Sequence, residues 1–280
     1  LLLAQFDGRS DADDLHAMAA LGCMLEHPDF RDIQVYGVMN AYGKQKSALI
    51  WDSTSLMEMV FGPQGDDTWT NADKPQAEGG NGTGDWSLSV QRVINKVKPV
   101  LLGGGRVWVQ EAGQSDITAD WLKLLHDDPE LSEVDITHQV FVVQHSWWNQ
   151  KMTTKADLAF VREAATYFKI DDGNHDRNDT IEPGDKFDKN KTADYETDDP
   201  DIEAHAVLRE RVKSEINPNE VARSYWAEAD RLIGDWDAHY SCMGEGGFDF
   251  SDIVECWWIF ELGPEVDTIP EFMTRFVMNP

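Results

Sequence analysis

Short apolar runs alternate with helically spaced apolar positions along most of this chain. Leu1 to Phe6 is an apolar run that stops at the acidic segment Asp7 to Asp14, after which Leu15, Met18, Ala19, Gly22 and Leu25 recur at helical spacing. The unit reads as strand, acidic loop, helix. A second strand is expected over Ile33 to Met39, ending at Asn40, with a helix around Ser47 to Phe61. Gly62 to Asp85 is rich in Gly, Asn, Asp and Pro and reads as a long surface loop, a kind that is usually functional or disordered. Helical spacing returns at Val90, Val93, Ile94 and Val97. Arg106 to Gln110 and Gln139 to Val143 read as strands, and helices are expected from an Asp116 cap through Leu125 and over Lys155 to Phe168. Strands alternating with helices predict an α/β fold, a mainly parallel open sheet flanked by helices, whose ligands bind at the carboxyl ends of the strands.

From Asp171 to Glu203 the pattern breaks, with 13 Asp or Glu against 4 Lys or Arg and almost no apolar periodicity. Helices resume over Ile202 to Val212 and Val221 to Ile233. A glycine-rich turn at Gly244 to Gly247 then leads to a helix starting near Asp252, with Ile253, Trp257 and Phe260 on one face. No repeat and no linker divides the chain, so 1–280 reads as a single domain with an acidic insertion at about 171–203.

Charge narrows the function. With 24 Lys plus Arg against 52 Asp plus Glu, the formal net charge is −28. Affinity for phosphate backbones and anionic membranes is built from clustered Lys and Arg, so nucleic acid and membrane are excluded as partners. Hydrophobic residues at 41% and aromatics at 10% are too many for a disordered acidic chain. A globular, soluble, self-repelling protein is expected, with homo-oligomer formation left open. Cys23, Cys242 and Cys256 are an odd count without C-x-x-C spacing; neither a disulfide framework nor a zinc site is indicated, and one disulfide stays open. The chain begins with Leu1 rather than Met and passes from Leu1-Leu2-Leu3-Ala4 straight into polar residues, which reads as a chain after loss of a leader or tag. An exported location, periplasmic or secreted, is favoured over the cytoplasm.

The densest candidate chemistry is Asp7, Asp11, Asp13 and Asp14, between a strand and a helix. One or two acids suffice to cap a helix and complement its dipole, which is the competing reading of Asp13 and Asp14. Four repel one another and call for a cation or a raised pKa. Gln144-His145-Ser146-Trp147-Trp148-Asn149 follows a strand, at the same end of a parallel sheet as the acidic loop. His145, ordinarily titrating near about 6.5, is a candidate acid for a leaving group, or else a hydrogen-bonded structural histidine. Trp69, Trp86, Trp147 and Trp148 stand among polar residues, where an indole offers a sugar a flat apolar face or simply belongs to the core. Trp148 and Asn149 are the candidates for substrate contact. Asp172, Asn174, Asp176 and Asn178 alternate like an EF-hand loop, but Arg177 and Pro183 occupy its glycine and glutamate positions and exclude one. Gly103-Gly104-Gly105 lacks the Lys-Ser/Thr of a phosphate-binding loop.

Asp7-Gly8-Arg9-Ser10-Asp11-Ala12-Asp13-Asp14 resembles the nucleoside hydrolase signature, Asp-x-Asp-Pro-x-x-Asp-Asp after the first strand. Gly37-Val38-Met39-Asn40 is similar to the family's Val-x-Gly-Asn, and Val107 to Asp116 is similar to its later strand and Gly-x-Leu-Thr-Asn turn. The correspondence runs in order over 5–125 and returns near Asp249 to Glu255. The resemblance implies a nucleoside hydrolase-like fold, a sugar-contacting Asn40, calcium as cofactor, and Asp7, Asp14 and Asp252 as its ligands. Arg9 stands at the family's second aspartate, which there binds calcium and activates water. A guanidinium has donors only, so either calcium persists on the remaining aspartates or Arg9 takes its place, pairing with Asp13, Asp14 or Asp252 and available to substrate.

The function expected is hydrolysis of a glycosidic or N-glycosidic bond in a carboxylate-lined pocket, on a small-molecule or oligosaccharide substrate. Asp14 and Asp13 are the candidate bases for water and His145 the candidate acid. The alternatives are a sugar-binding protein that kept the fold and lost the chemistry, and a purely structural acidic domain.

Overall fold

Leu2–Phe6 forms β1, buried along its whole length, which is why it reads as a mainly apolar run, interrupted only by Gln5, rather than an alternating one. The computed structural model describes residues 1–8, 13–44, 52–170, 173, 202–234, 246–262, 266 and 268–279. After β1 come α1 (Asp13–Glu26), β2 (Val35–Met39), α2 (Thr54–Phe61), β3 (Trp69–Asn71), α3 (Trp86–Leu102), β4 (Val107–Ala112), α4 (Asp116–His126), α5 (Ile136–Gln139) and β5 (Val140–Gln144). They are followed by α6 (Trp147–Met152), α7 (Lys155–Ala164), β6 (Thr166–Lys169), α8 (Ile202–Lys213), α9 (Glu220–Ile233), α10 (Val254–Ile259) and α11 (Ile269–Phe272). The six strands form one open sheet in the order β3-β2-β1-β4-β5-β6, every pair parallel. This is the α/β architecture expected from the alternation of strands and helices. Of the acidic insertion expected at about 171–203, residues 171–172 and 174–201 lie outside the described residues.

Successive residues of each strand serve opposite cores. Leu2, Ala4 and Phe6, with Met39, Trp69, Ala112 and Val143, face a core completed by α1, α2, α9 and α10. Leu3, Tyr36, Val38, Val107, Val109, Val140 and Val142 face a second one, closed by Val93 and Val97 of α3, Trp121 and Leu122 of α4 and Val161 of α7. The strand order reverses between β1 and β4: the chain steps outward from β1 to β3, then α3 carries it back to β4. Loops leaving β1 and β4 therefore diverge and leave a crevice at the carboxyl ends, where parallel sheets bind ligands.

Several expected elements are corrected. The segment Gly62 to Asp85 is not all loop: Trp69–Asn71 is the edge strand β3, paired with Gly37 to Met39, and Gln76–Glu78 is a 3-10 turn. Three residues are too few to show a period, and Trp69 is fully buried rather than a surface ring. Asp73, also buried, ties that segment together by accepting hydrogen bonds from Tyr42 Oη and from Thr83 N and Oγ1, each at 2.8 Å. The helix expected over Lys155 to Phe168 ends at Ala164, and Thr166–Lys169 is β6, the opposite edge. Thr, Tyr and Phe fit a pleated surface better than a helix. The N-cap of α4 is Ser115, while Asp116 accepts from Thr154 N at 3.2 Å. The helix expected from Ser47 is seen from Thr54, residues 45–51 lying outside those described. Cys23 and Cys256 are buried and free, and Cys242 lies outside the described residues. No helix among the described residues is long and apolar enough to cross a membrane.

The close approach of β1 and β4 depends on Gly113. Its φ is +133°, which side chains on an L residue rarely adopt, and an added Cβ would lie 2.5 Å from Asp7 Cβ. Gly113→Ala is expected to destabilise the fold by roughly 2–3 kcal/mol in chemical denaturation. A loss no larger than that of an exposed loop substitution would show that the turn relaxes freely.

Candidate functional site

The carboxyl ends of β1, β2, β4 and β5 each carry a polar side chain into the region of the switch point, and the segment before α10 closes over them. From β1 comes Asp7, whose Oδ2 accepts from Gln114 Nε2 at 2.6 Å. The chain turns at Gly8, φ +64°, and the Gly8 amide donates to Asp14 Oδ2 at 2.6 Å, holding that side chain at the start of α1. From β2 comes Asn40, left-handed at φ 61°, with Nδ2 donating to Asn71 Oδ1 at 2.9 Å. From β5 comes His145, followed by Ser146 at φ 64°. Of the three non-glycine residues with positive φ among those described, two stand just beyond strand ends at this site, a placement typical of functional loops.

Asp252 is brought in from far along the chain. Its carbonyl accepts from Gln110 Nε2 of β4, which pins the 3-10 turn Ser251–Ile253 to the sheet. Carboxylate oxygens of Asp13, Asp14 and Asp252 then all lie within 4.8 Å of one another. Asp252 Oδ1 is 3.6 Å from His145 Nε2, while Glu255 Oε1 accepts from His145 Nδ1 at 2.7 Å and from the His145 amide at 2.9 Å. A carboxylate only accepts, so Nδ1 carries a hydrogen and Nε2 is left facing Asp252. Both His145 and Glu255 are buried.

Six buried side-chain oxygens of the amide or carboxylate kind have no hydrogen-bond partner among the described residues: Gln5 Oε1, Asp14 Oδ1, Asn40 Oδ1, Gln110 Oε1, Glu111 Oε1 and Glu255 Oε2. All six belong to the carboxyl ends of β1, β2 and β4 or to the elements packed on them. Buried polar atoms are normally satisfied; Asp14 Oδ1 and Gln110 Oε1 lie on the side of the sheet that holds Asp252, whereas Gln5 and Glu111 turn toward Thr118 and Ser115 on the other side. Burial, then the charges of Asp7 and Asp13, push the Asp14 carboxyl well above its ordinary value, against the pull of the Gly8 amide. Burial likewise raises Glu111 to about 7, opposed by hydrogen bonds from Thr118 and Ser115 and reinforced by Asp116 and Glu255.

Of the residues expected from sequence, Asp13, Asp14 and Asp252 come together, with Asp7 near enough to raise Asp14 electrostatically. Asp13, rather than Asp7, completes the convergent trio. Asn40 stands on the neighbouring strand with a buried, unpartnered oxygen. His145 joins the carboxylates through Asp252. Asn149 is buried in α6 with Nδ2 3.5 Å from the His145 carbonyl, while Trp148 faces outward from the same helix. Trp86 is half-buried, its Nε1 donating to Asp120 at 2.9 Å. Arg9 lies outside the described residues. Glu255, Glu111, Gln114 and Asn71 went unread in the sequence. Glu255 alone had a signal, since it follows Asp252 by three residues at a helix start and so shares its face.

Comparison with protein-family models, with curated proteins and with solved structures finds no match to this chain. An α/β switch point commonly receives phosphates on the bare amides of a helix N-terminus; here the first turn of α1 presents the carboxylates of Asp13 and Asp14.

Glu111 supplies a test of the electrostatics. Its folded pKa of about 7 is above the ordinary glutamate value of 4.5, so the stability it contributes is complete below about 4.5 and is lost as pH rises through about 7. The span corresponds to about 3 kcal/mol. Glu111→Gln, which stays neutral, is expected to be more stable than the parent in urea at about pH 8 and to lose that advantage near about pH 5. An advantage independent of pH would mean that Glu111 does not titrate there.

Proposed function

We propose that this chain hydrolyses a glycosidic or N-glycosidic bond in the crevice between β1 and β4, as a divergent relative of the nucleoside hydrolases. The observation that carries the reading is the convergence of the Asp13, Asp14 and Asp252 carboxylates at the carboxyl end of β1, with the buried Asp14 Oδ1 unpartnered among them. A sugar answers both needs of such a place. Its hydroxyls bring donors, and its transition state for C–O or C–N cleavage is oxocarbenium-like, so surrounding negative charge stabilises it more than the ground state.

The residues fit a divalent cation with oxygen ligands. Asp13, Asp14 and Asp252 would hold it with Asp7 close behind, and Asp14 Oδ1 is the buried ligand atom that otherwise lacks a partner. Bound there, calcium would orient water and sugar hydroxyls and lower the pKa of that water; where Arg9 substitutes for it, only the charge balance is supplied.

The roles of the chain's own groups follow from where they sit. Asp14, or Asp13 beside it, accepts a proton from the attacking water and aligns that water with the anomeric carbon. Asn40 Oδ1 accepts a hydrogen bond from a sugar hydroxyl. His145, protonated on both nitrogens, delivers the Nε2 proton to the departing oxygen or nitrogen. Glu255 is a positioning residue: it grips the ring through Nδ1 and the backbone amide and keeps Nε2 on the side of Asp252.

In a screen of nucleosides and oligosaccharides scored by released reducing sugar, Asp14→Asn is expected to abolish cleavage while circular dichroism stays unchanged. Glu255→Gln is expected to lower kcat at least about tenfold with little change in KM. Normal cleavage by Asp14→Asn would assign the base elsewhere. Binding of a sugar by the wild type with no cleavage at all would make the chain a carbohydrate-binding protein.

Calcium titration by calorimetry separates the two electrostatic solutions. Saturable binding that disappears in Asp14→Asn places a cation on the trio, and no binding in the wild type leaves the charge balance to Arg9.

A further inference from the structure

In α6 the inward side chains are polar and the outward ones are the largest apolar side chains a protein has. Asn149 and Gln150 are buried, Gln150 Nε2 donating to Tyr167 Oη at 2.8 Å, and Thr153 Oγ1 closes the helix on the Asn149 carbonyl at 2.8 Å. Trp147 and Trp148 are 42% and 45% exposed, and they are the only aromatic residues among the exposed large apolar side chains of the described chain. Folding by burial of apolar surface produces the opposite pattern. Their place is set by Ser146, whose Oγ accepts from the Trp148 amide at 3.1 Å, so both indoles begin within three residues of His145. Lys151 Nζ lies 4.6 Å from the centroid of Trp147 and 5.4 Å from that of Trp148, so the two rings converge on one ammonium.

We propose that Trp147 and Trp148 are the outer part of a binding site for a neutral oligosaccharide whose chain leaves the crevice over α6, an inference that rests on the glycosidic reading above. A pyranose offers a flat C–H face to an indole and hydroxyls at its rim, which Lys151 can bind. A free nucleoside held by the Asp13, Asp14 and Asp252 carboxylates would leave two exposed tryptophans without a role. Single-stranded nucleic acid also stacks on indoles, but its phosphates would meet a chain of net charge −28 and the crevice carboxylates. A protein partner calls for a contiguous apolar patch, whereas the surface beside these rings carries the charge of Lys151.

The test uses the full chain with Asp14→Asn in every sample to stop turnover, and adds Trp147→Ala and Trp148→Ala together or Trp148→Phe alone. Calorimetry is run against neutral β-linked glucose, xylose and N-acetylglucosamine series, from single sugars to hexasaccharides, and against a single-stranded oligonucleotide. Affinity is expected to rise with glycan length. The double alanine variant is expected to lose at least about tenfold for the longer glycans and little for single sugars, Trp148→Phe to keep most of the affinity, and the melting temperature to stay unchanged. Equal glycan binding by the double variant, no binding of any glycan by the parent, or preference for the oligonucleotide would each overturn the proposal. Cleavage by the wild type is scored separately. Tryptophan-dependent binding without cleavage keeps this surface and removes the hydrolytic reading, whereas nucleoside cleavage without oligosaccharide binding does the reverse.

Discussion

Repulsion and desolvation among carboxylates at one end of a parallel sheet is the constraint that the rest of this structure serves. Asp7, Asp14, Asp252, Glu111 and Glu255 are all buried there, and a buried carboxylate is unfavourable unless donors or a cation compensate it. Holding such groups together requires a scaffold that does not yield. The strands are covered on both faces, and β1, at the centre, is buried at every position. Each acidic element is tethered by a neutral donor: Gln114 on Asp7, the Gly8 amide on Asp14, Gln110 on the backbone of Asp252. Neutral amides fix the geometry while leaving the negative charge in place for a ligand.

A second acidic cluster in the same molecule shows the opposite treatment. Asp230 of α9 is paired with Arg209 at 2.9 Å, with Lys213, and with His16 Nε2 at 3.1 Å, and its carboxyl is held well below the usual carboxylate range despite burial. His16 is fully buried, and desolvation brings its pKa down to about 4, the Asp230 contact opposing. It accepts from the Asp249 amide at 3.3 Å, while Arg209 Nη1 donates to the Gly247 carbonyl. This network neutralises its acid and uses the surplus hydrogen-bonding capacity to anchor residues 247–249, immediately before Asp252. Asp230 is compensated by Arg209, Lys213 and His16, whereas Asp14 Oδ1 at the crevice has no hydrogen-bond partner among the described residues.

Legibility from sequence followed the range of the physics involved. The apolar runs at Leu2 to Phe6, with Gln5 its one polar residue, and at Val140 to Val143 were readable because burial on both faces favours apolar side chains at successive positions. The helical spacing of α1, α3 and α9 was readable because each has a face or more to bury. β3 escaped because three residues at a sheet edge carry no period, and β6 because it follows α7 after a single extended residue, Ala165, without a turn signal between them. The density of acids at Asp7 to Asp14 was visible as a conflict in local electrostatics. The grip of Glu255 on His145 was not, because it joins positions 110 residues apart.

The sequence alone determined the class of fold, the acidic surface and the acidic loop after the first strand, since these depend on composition and on neighbours within a turn or two. Tertiary structure decided the strand order, and with it the crevice between β1 and β4. It also decided that Asp252 meets Asp13 and Asp14 at the start of α1, more than two hundred residues earlier, that Glu255 meets His145, and that two tryptophans of a polar-faced helix point outward. Those outcomes rest on long-range packing, where the gain from burying α1, α9 and α10 against one face of the sheet sets which distant side chains come within hydrogen-bonding reach.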